Sequence, residues 1–223
     1  MGYVSAAANV NAAALAFMLM LWVWTPAGAS QPLRLLVLGD SLTAGYGLNA
    51  EDGFTVRLEA ALTAAGRNVT VLNAGVSGDT SAGGRARIRW ALADNPDAVI
   101  LELGANDGLR GLDPKATFDN LDAVITDVRA AGLPLLLTGM LAPPNRGRDY
   151  AEDFNAVFPR LADKHDVLFY PFFLAGVAAK PDLNQDDGIH PNAKGVAAIV
   201  ERILPYVLDL LSQIKGMPKA GAS

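Results

Sequence analysis

Leu35-Leu36-Val37-Leu38-Gly39-Asp40-Ser41-Leu42-Thr43-Ala44-Gly45-Tyr46-Gly47 joins a continuous apolar run to a turn of small residues, with a serine at the junction. A short Leu/Val run without polar alternation is what a strand covered on both faces requires. Open α/β sheets hold their ligands beyond the carboxyl ends of such strands, so Ser41 stands where a nucleophile can meet a substrate. Near the other end of the chain, Asp187-Gly188-Ile189-His190-Pro191 offers a base and a carboxylate able to orient it.

Outward from this stretch, apolar runs alternate with amphipathic ones. Strands are expected at residues 34–38, 69–72, 98–103, 134–138 and 167–169, and helices at 55–65, 84–93, 115–131, 150–164 and 193–214. Alternation of this kind predicts a three-layer α/β/α sandwich around one five-stranded parallel sheet. Right-handed crossovers place every strand-to-helix loop on one edge of that sheet. Ser41 follows the first strand, Gly75 to Gly78 the second, and Gly104-Ala105-Asn106-Asp107 the third, so the three loops should converge.

Their chemistry is that of acyl transfer. The chain has two histidines. His165, in Ala162-Asp163-Lys164-His165-Asp166, reads as a solvated surface ring at a helix end. His190 lies in a loop three residues after Asp187, close enough for one turn to bring the carboxylate to Nδ1 and leave Nε2 facing Ser41. Asp186 is the competing carboxylate, with helix capping or loop solvation as its alternative role. Donors for an oxyanion are available from the Ser41 amide, the Gly78 amide and the Asn106 carboxamide. Asp40 is expected in support, bonding local amides and fixing the turn. Ser77 and Ser81 have no base placed near them. A Gly-x-Ser-x-Gly elbow and a phosphate-binding Gly-x-x-x-x-Gly-Lys-Ser/Thr loop are both absent from the sequence, which disfavours an α/β-hydrolase and a nucleotide binder.

Residues 1–29 carry no charged side chain and centre on an apolar run at 12–24, followed by Thr25-Pro26-Ala27-Gly28-Ala29. The run is short for a membrane span, and Ala27-Gly28-Ala29 fits a small-x-small cleavage site, so a signal peptide cut after Ala29 is expected. The alternative is an anchor formed by 12–24. The expected organisation is then a signal at 1–29, one catalytic domain at 30–215 and a flexible tail at 216–223, in a periplasmic or secreted protein. A formal net charge of −5 argues against a nucleic-acid partner, and no stable membrane insertion is expected once the signal is removed. The absence of cysteine excludes disulfides, a thiol nucleophile and thiolate metal sites. Stability must therefore come from an apolar core, which 51% hydrophobic residues can supply. A monomer is expected.

Four blocks resemble the SGNH (GDSL) hydrolase family: Gly39-Asp40-Ser41-Leu42, Gly78 within Ser77-Gly78-Asp79-Thr80-Ser81, Gly104-Ala105-Asn106-Asp107, and Asp187-Gly188-Ile189-His190-Pro191. They occur in the family's order across nearly the whole mature chain. Asn106-Asp107-Gly108-Leu109-Arg110-Gly111 and Gln185-Asp186-Asp187 narrow the likeness to bacterial periplasmic esterases acting on aryl esters, thioesters and lysophospholipids. The resemblance implies a flavodoxin-like sheet and a triad of Ser41, Asp187 and His190. It also implies an oxyanion hole from Ser41, Gly78 and Asn106, and no metal or organic cofactor. Ala105 stands where relatives often have a second glycine. Further implied is a mobile loop at 109–114, with Leu109 and Leu112 over an acyl crevice. The stretch 140–146, apolar and stiffened by Pro143 and Pro144, is expected as another crevice wall, and Ile189 is expected at the substrate. The expected partner is a small acyl ester or thioester. Two alternatives stand beside it: a carbohydrate O-deacetylase of the same family, and a silent module that holds an anion on the glycine-rich edge.

Overall fold

The computed structural model describes residues 1–3 and 31–214. Apart from 1–3, the expected signal segment lies outside the described residues, as does the expected tail at 216–223. By its internal contacts the chain divides after Gln31, and the elements below all belong to the second unit.

Five strands, β1 (Leu33–Gly39), β2 (Val69–Gly75), β3 (Ala98–Glu102), β4 (Leu135–Thr138) and β5 (Leu168–Tyr170), form one parallel sheet in the order β2-β1-β3-β4-β5. The residues of β3 and β4 are buried throughout, as are those of β1 from Leu35 onward, which is why their sequences do not alternate. Helices α1 (Ser41–Ala44), α2 (Phe54–Ala64), α3 (Ser81–Ala91), α4 (Ala105–Arg110), α5 (Pro114–Ala130), α6 (Arg148–Asn155), α7 (Val157–His165) and α8 (Ala193–Ser212) complete the unit. α2 packs with α8 on one face of the sheet, while α3, α5 and α7 pack together on the other. The expected three-layer sandwich is therefore the architecture found.

Two helices differ from the sequence expectation. The stretch 150–164 forms two helices rather than one, divided at Ala156. Pro159 lacks an N–H to continue the ladder from α6 and falls instead in the first turn of α7, where no intrahelical donor is needed. Residues 109–114 form no long loop. α4 runs through Arg110 and ends where Gly111 turns left-handed at φ 66°, and α5 begins at Pro114 with Asp113 capping the Lys115 amide. Among the described residues no helix is long and apolar enough to cross a membrane.

The strand order reverses between β1 and β3, whose neighbours diverge to opposite sides. Loops leaving those two strands separate there and open a crevice. Ser41 leaves β1, and Asn106 lies on α4 just beyond β3, so the two residues flank the reversal.

Candidate active site

The turn that carries Ser41 is built from its own side chains. Asp40 caps α1 by accepting from the Leu42 amide at 3.0 Å, and Ser41 is the first residue of that helix. Amides in a first helical turn have no intrahelical partner, so the Ser41 N–H remains available for an anion. On the opposite side of the crevice, the loop between β5 and α8 carries His190. Its Nε2 lies 2.9 Å from Ser41 Oγ, and its Nδ1 lies 2.6 Å from Asp187 Oδ2.

Asp187 Oδ1 accepts from the amides of Ile189 at 2.9 Å and His190 at 3.0 Å. With the His190 amide as the largest cause, followed by its ring, these bonds hold the Asp187 carboxyl down at about 2. Asp187 is therefore a fixed anion, and the proton between it and Nδ1 belongs to the ring. That tautomer leaves Nε2 as an acceptor for the serine proton. Asp187, not Asp186, is the carboxylate bonded to the imidazole. The Tyr46 ring rests against that of His190, with centroids 4.6 Å apart.

The three oxyanion candidates are tied to one another through neighbours. Asn106 Nδ2 donates to Asp40 Oδ2 at 3.2 Å, which binds the start of α4 to the turn that carries Ser41. Gly78 has φ 82°, and its carbonyl accepts from Arg110 Nη2 at 2.7 Å, which binds its loop to the end of α4. Asp107 reinforces the same junction from within, accepting from the Ser81 amide at 2.9 Å and the Thr117 hydroxyl at 3.2 Å. Arg87 joins the first two strand loops, reaching the carbonyls of Ala74 at 2.7 Å and Gly39 at 2.8 Å and the Asp79 carboxylate at 2.7 Å.

Beside Ser41 and His190 opens a crevice of about 570 Å³. Leu109, Met140, Leu141, Pro143, Phe172 and Leu174 supply most of its apolar wall, and Ile189 stands at its rim. Larger concavities such as this one, apolar with a few convergent polar groups, are where proteins bind small organic molecules.

A family model described as GDSL-like Lipase/Acylhydrolase matches residues 37–198. The chain belongs to this family. It is 42% identical over 169 residues to an arylesterase of Vibrio mimicus, covering 75% of this chain and 84% of that one. It is 45% identical over 159 residues to a thioesterase 1/protease 1/lysophospholipase L1 of Escherichia coli strain K12, covering 71% and 75%. The crystal structure of TesA superposes with a TM-score of 0.76 at 40% identity, covering 79% of this chain and 99% of that one.

For this acylhydrolase, the fold gathers Ser41, Asp187 and His190 into one hydrogen-bonded chain, with Asp40 and Asn106 bonded beside it. Leu109 and Ile189 line the crevice, but Leu112 lies outside its lining. Leu112 is held away because its N–H donates to Asp107 O at 3.0 Å and its carbonyl accepts from Tyr150 Oη at 2.9 Å. Arg146 also bonds the Leu109 carbonyl, so the junction expected as a mobile loop is tied on three sides. Of the expected wall at 140–146, Met140 to Pro144 face the crevice. His165 is not the solvated ring expected. Its side chain is 14% exposed and its Nε2 lies 2.7 Å from Asp122 Oδ1, joining α7 to α5.

Sequence reasoning missed Phe172 and Leu174, which follow β5 in a stretch without a motif, and the bracing roles of Arg87, Asp107 and Arg110. Asp107 and Arg110 lie inside the recognised blocks, but their partners, Ser81, Thr117 and Gly78, lie on other segments.

Proposed function

We propose that the protein is a serine esterase that hydrolyses carboxylic esters and thioesters of acyl substrates through Ser41, His190 and Asp187. The unbroken contact from Asp187 through His190 to Ser41 at the mouth of an apolar crevice carries this reading. Ser41 Oγ attacks the acyl carbonyl as His190 Nε2 takes its proton, with Asp187 stabilising the imidazolium. The oxyanion is met by the amides of Ser41 and Gly78 and the carboxamide of Asn106. Collapse of this intermediate expels the alcohol or thiol, which leaves with the proton from His190. Water then attacks the acyl-serine and gives its proton to the same nitrogen; the acyl–Oγ bond breaks as that proton passes to Ser41 Oγ, and the acid is released.

The apolar walls favour an acyl chain over a sugar. Names borne by relatives, arylesterase and thioesterase 1/lysophospholipase L1, agree with an acyl substrate of modest headgroup demand. We assign export to residues 1–29, with cleavage after Ala29 giving a periplasmic or secreted enzyme; N-terminal sequencing of the mature protein checks this.

The direct test is hydrolysis of an aryl ester and an acyl thioester by the native protein and by Ser41→Ala, with fluorophosphonate labelling. The expected result is turnover and labelling that both vanish in Ser41→Ala. Retained turnover in that variant would remove the assignment, and a native protein that neither turns over nor labels would be the silent anion-binding module.

A further inference from the structure

Beneath the nucleophile lies a buried acid that the hydrolytic steps do not use. Glu102 closes β3, paired in register with Gly39 of β1, and is wholly buried. Its Oε2 accepts from the Thr43 hydroxyl at 2.8 Å and from the Asp40 amide at 3.3 Å. Both donors belong to the turn that carries Ser41. A Cβ on Gly39 would overlap Glu102 Oε2 and Thr43 Oγ1, so the first glycine of the Gly39-Asp40-Ser41-Leu42 block is the space into which this carboxyl fits.

The charge state follows from the surroundings. Glu102 Oε1 is buried and has no partner among the described residues. The guanidinium that reaches this turn, Arg87, is directed to Asp79 and to the carbonyls of Ala74 and Gly39. The other acid here is Asp40, wholly buried, with Asn106 as its side-chain partner and Asp79 and His190 nearby. An ionised Glu102 would leave one carboxylate oxygen without a protein partner in a wholly buried position beside a second carboxyl, which is among the costlier arrangements in a protein interior. Burial, and then Asp40, push the Glu102 carboxyl well above the ordinary carboxylate range.

We propose that Glu102 is a positioning residue, an uncharged carboxyl group that holds the 39–43 turn from beneath and sets the line of Ser41 toward His190. The role rests on Ser41 being the nucleophile. A neutral oxygen suffices to receive the Asp40 amide and the Thr43 hydroxyl, whereas an apolar side chain would leave both donors unpaired.

Glutamine preserves that acceptor and the shape, so Glu102→Gln should turn over an aryl ester within about threefold of the native protein. Glu102→Leu should lose roughly 30-fold or more in kcat at nearly unchanged KM, with fluorophosphonate labelling slowed by the same factor, as small displacements of reacting groups do. Thr43→Val removes only the hydroxyl donor. It should lower kcat several-fold in the native background and no further in Glu102→Leu, the non-additivity of a shared contact. Glutamine as damaging as leucine would show that an ionised or proton-transferring carboxyl is required and overturn the proposal. Full kcat in a folded Glu102→Leu would do the same. Should Glu102→Leu fail to fold, Thr43→Val decides: reduced kcat at native KM supports the role, and native kcat overturns it. Ser41→Ala, assayed alongside, separates a failed nucleophile assignment from a failed role for Glu102.

Discussion

Gln185 Nε2 donates to the Tyr46 carbonyl at 2.8 Å and to the Pro191 carbonyl at 3.0 Å, so one carboxamide joins the loop of the nucleophile to the loop of the base. The Gln185 backbone closes the second loop on itself, its amide donating to His190 O at 2.8 Å and its carbonyl accepting from Gly188 at 2.9 Å. A separation of 149 residues lies between Ser41 and His190, and this bracket sets their approach. Gln185→Ala is expected to lower kcat about tenfold with little change in KM, between the ~1 kcal/mol of one neutral hydrogen bond and the roughly 10²-fold that a 1 Å misplacement costs. Gln185→Glu should be worse, since an acceptor-only carboxylate would face two carbonyl oxygens. Steady-state kinetics on an aryl ester checks both, and native kcat in either variant would mean the loops hold their register without the bracket.

Asp187 is predicted to serve as a permanent anion. With its carboxyl held at about 2, it stays ionised at any pH well above that value. Its folded value lies below the unfolded one of about 3.9, so its contribution to stability is complete above that pH and is lost as the pH falls toward 2. Asp187→Asn should therefore melt below the native protein at pH 7, while the two melting temperatures converge as the pH approaches 2. Its kcat should fall by roughly 10³–10⁴, the effect of presenting the wrong tautomer of the base to the serine. A small loss of kcat would transfer the orienting role to another group.

Much of this arrangement was legible beforehand, for identifiable reasons. Buried parallel strands announce themselves as unbroken apolar runs, so β1 and β3 were visible, and the loops that follow them had to share an edge. The Asp187–His190 spacing made a local contact predictable without knowing the fold. What stayed hidden depends on contacts between distant segments. Glu102 reads as a polar end to a strand until Gly39 is seen beside it, and His165 reads as solvated until Asp122 of α5 is seen opposite. Phe172 and Leu174 form crevice wall only because β5 delivers them beside β4. Pro159 was visible in the sequence, but a proline does not by itself fix a helix start, since Pro205 lies inside α8, so the break within 150–164 was not legible from it.

Asp40 gives the fold an opposite pH dependence from Asp187. Burial is the chief cause that raises its carboxyl to about 6, against the lowering effects of the Leu42 amide and Asn106. Between about 4 and 6 the folded protein therefore holds a proton that the unfolded chain has released. Stability from this group is complete below about 3.9 and is lost as the pH rises through about 6. Asp40→Asn keeps a capping oxygen for Leu42 but removes the titration. The melting temperature of the native protein should fall relative to that of Asp40→Asn as the pH rises from 4 to 7. Parallel curves for the two proteins in differential scanning calorimetry would show that Asp40 titrates normally. Activity of the variant should drop as well, because Asn106 loses the anionic acceptor that fixes its carboxamide.

The crevice predicts a preference that grows with acyl length. Each buried methylene contributes about 0.8 kcal/mol, roughly fourfold in kcat/KM, for as long as added carbons meet apolar wall. Leu174 and Phe172 lie in that wall away from the triad hydrogen bonds, so Leu174→Ser should penalise medium and long acyl chains about tenfold while leaving acetyl esters nearly unaffected. A matched series of aryl esters from acetyl upward, run on both proteins, reads the two slopes directly. Rising kcat/KM in the native protein that flattens in Leu174→Ser identifies the crevice as the acyl site. An optimum at acetyl, unchanged by the substitution, would instead place the acyl group outside it and move the enzyme toward deacetylation.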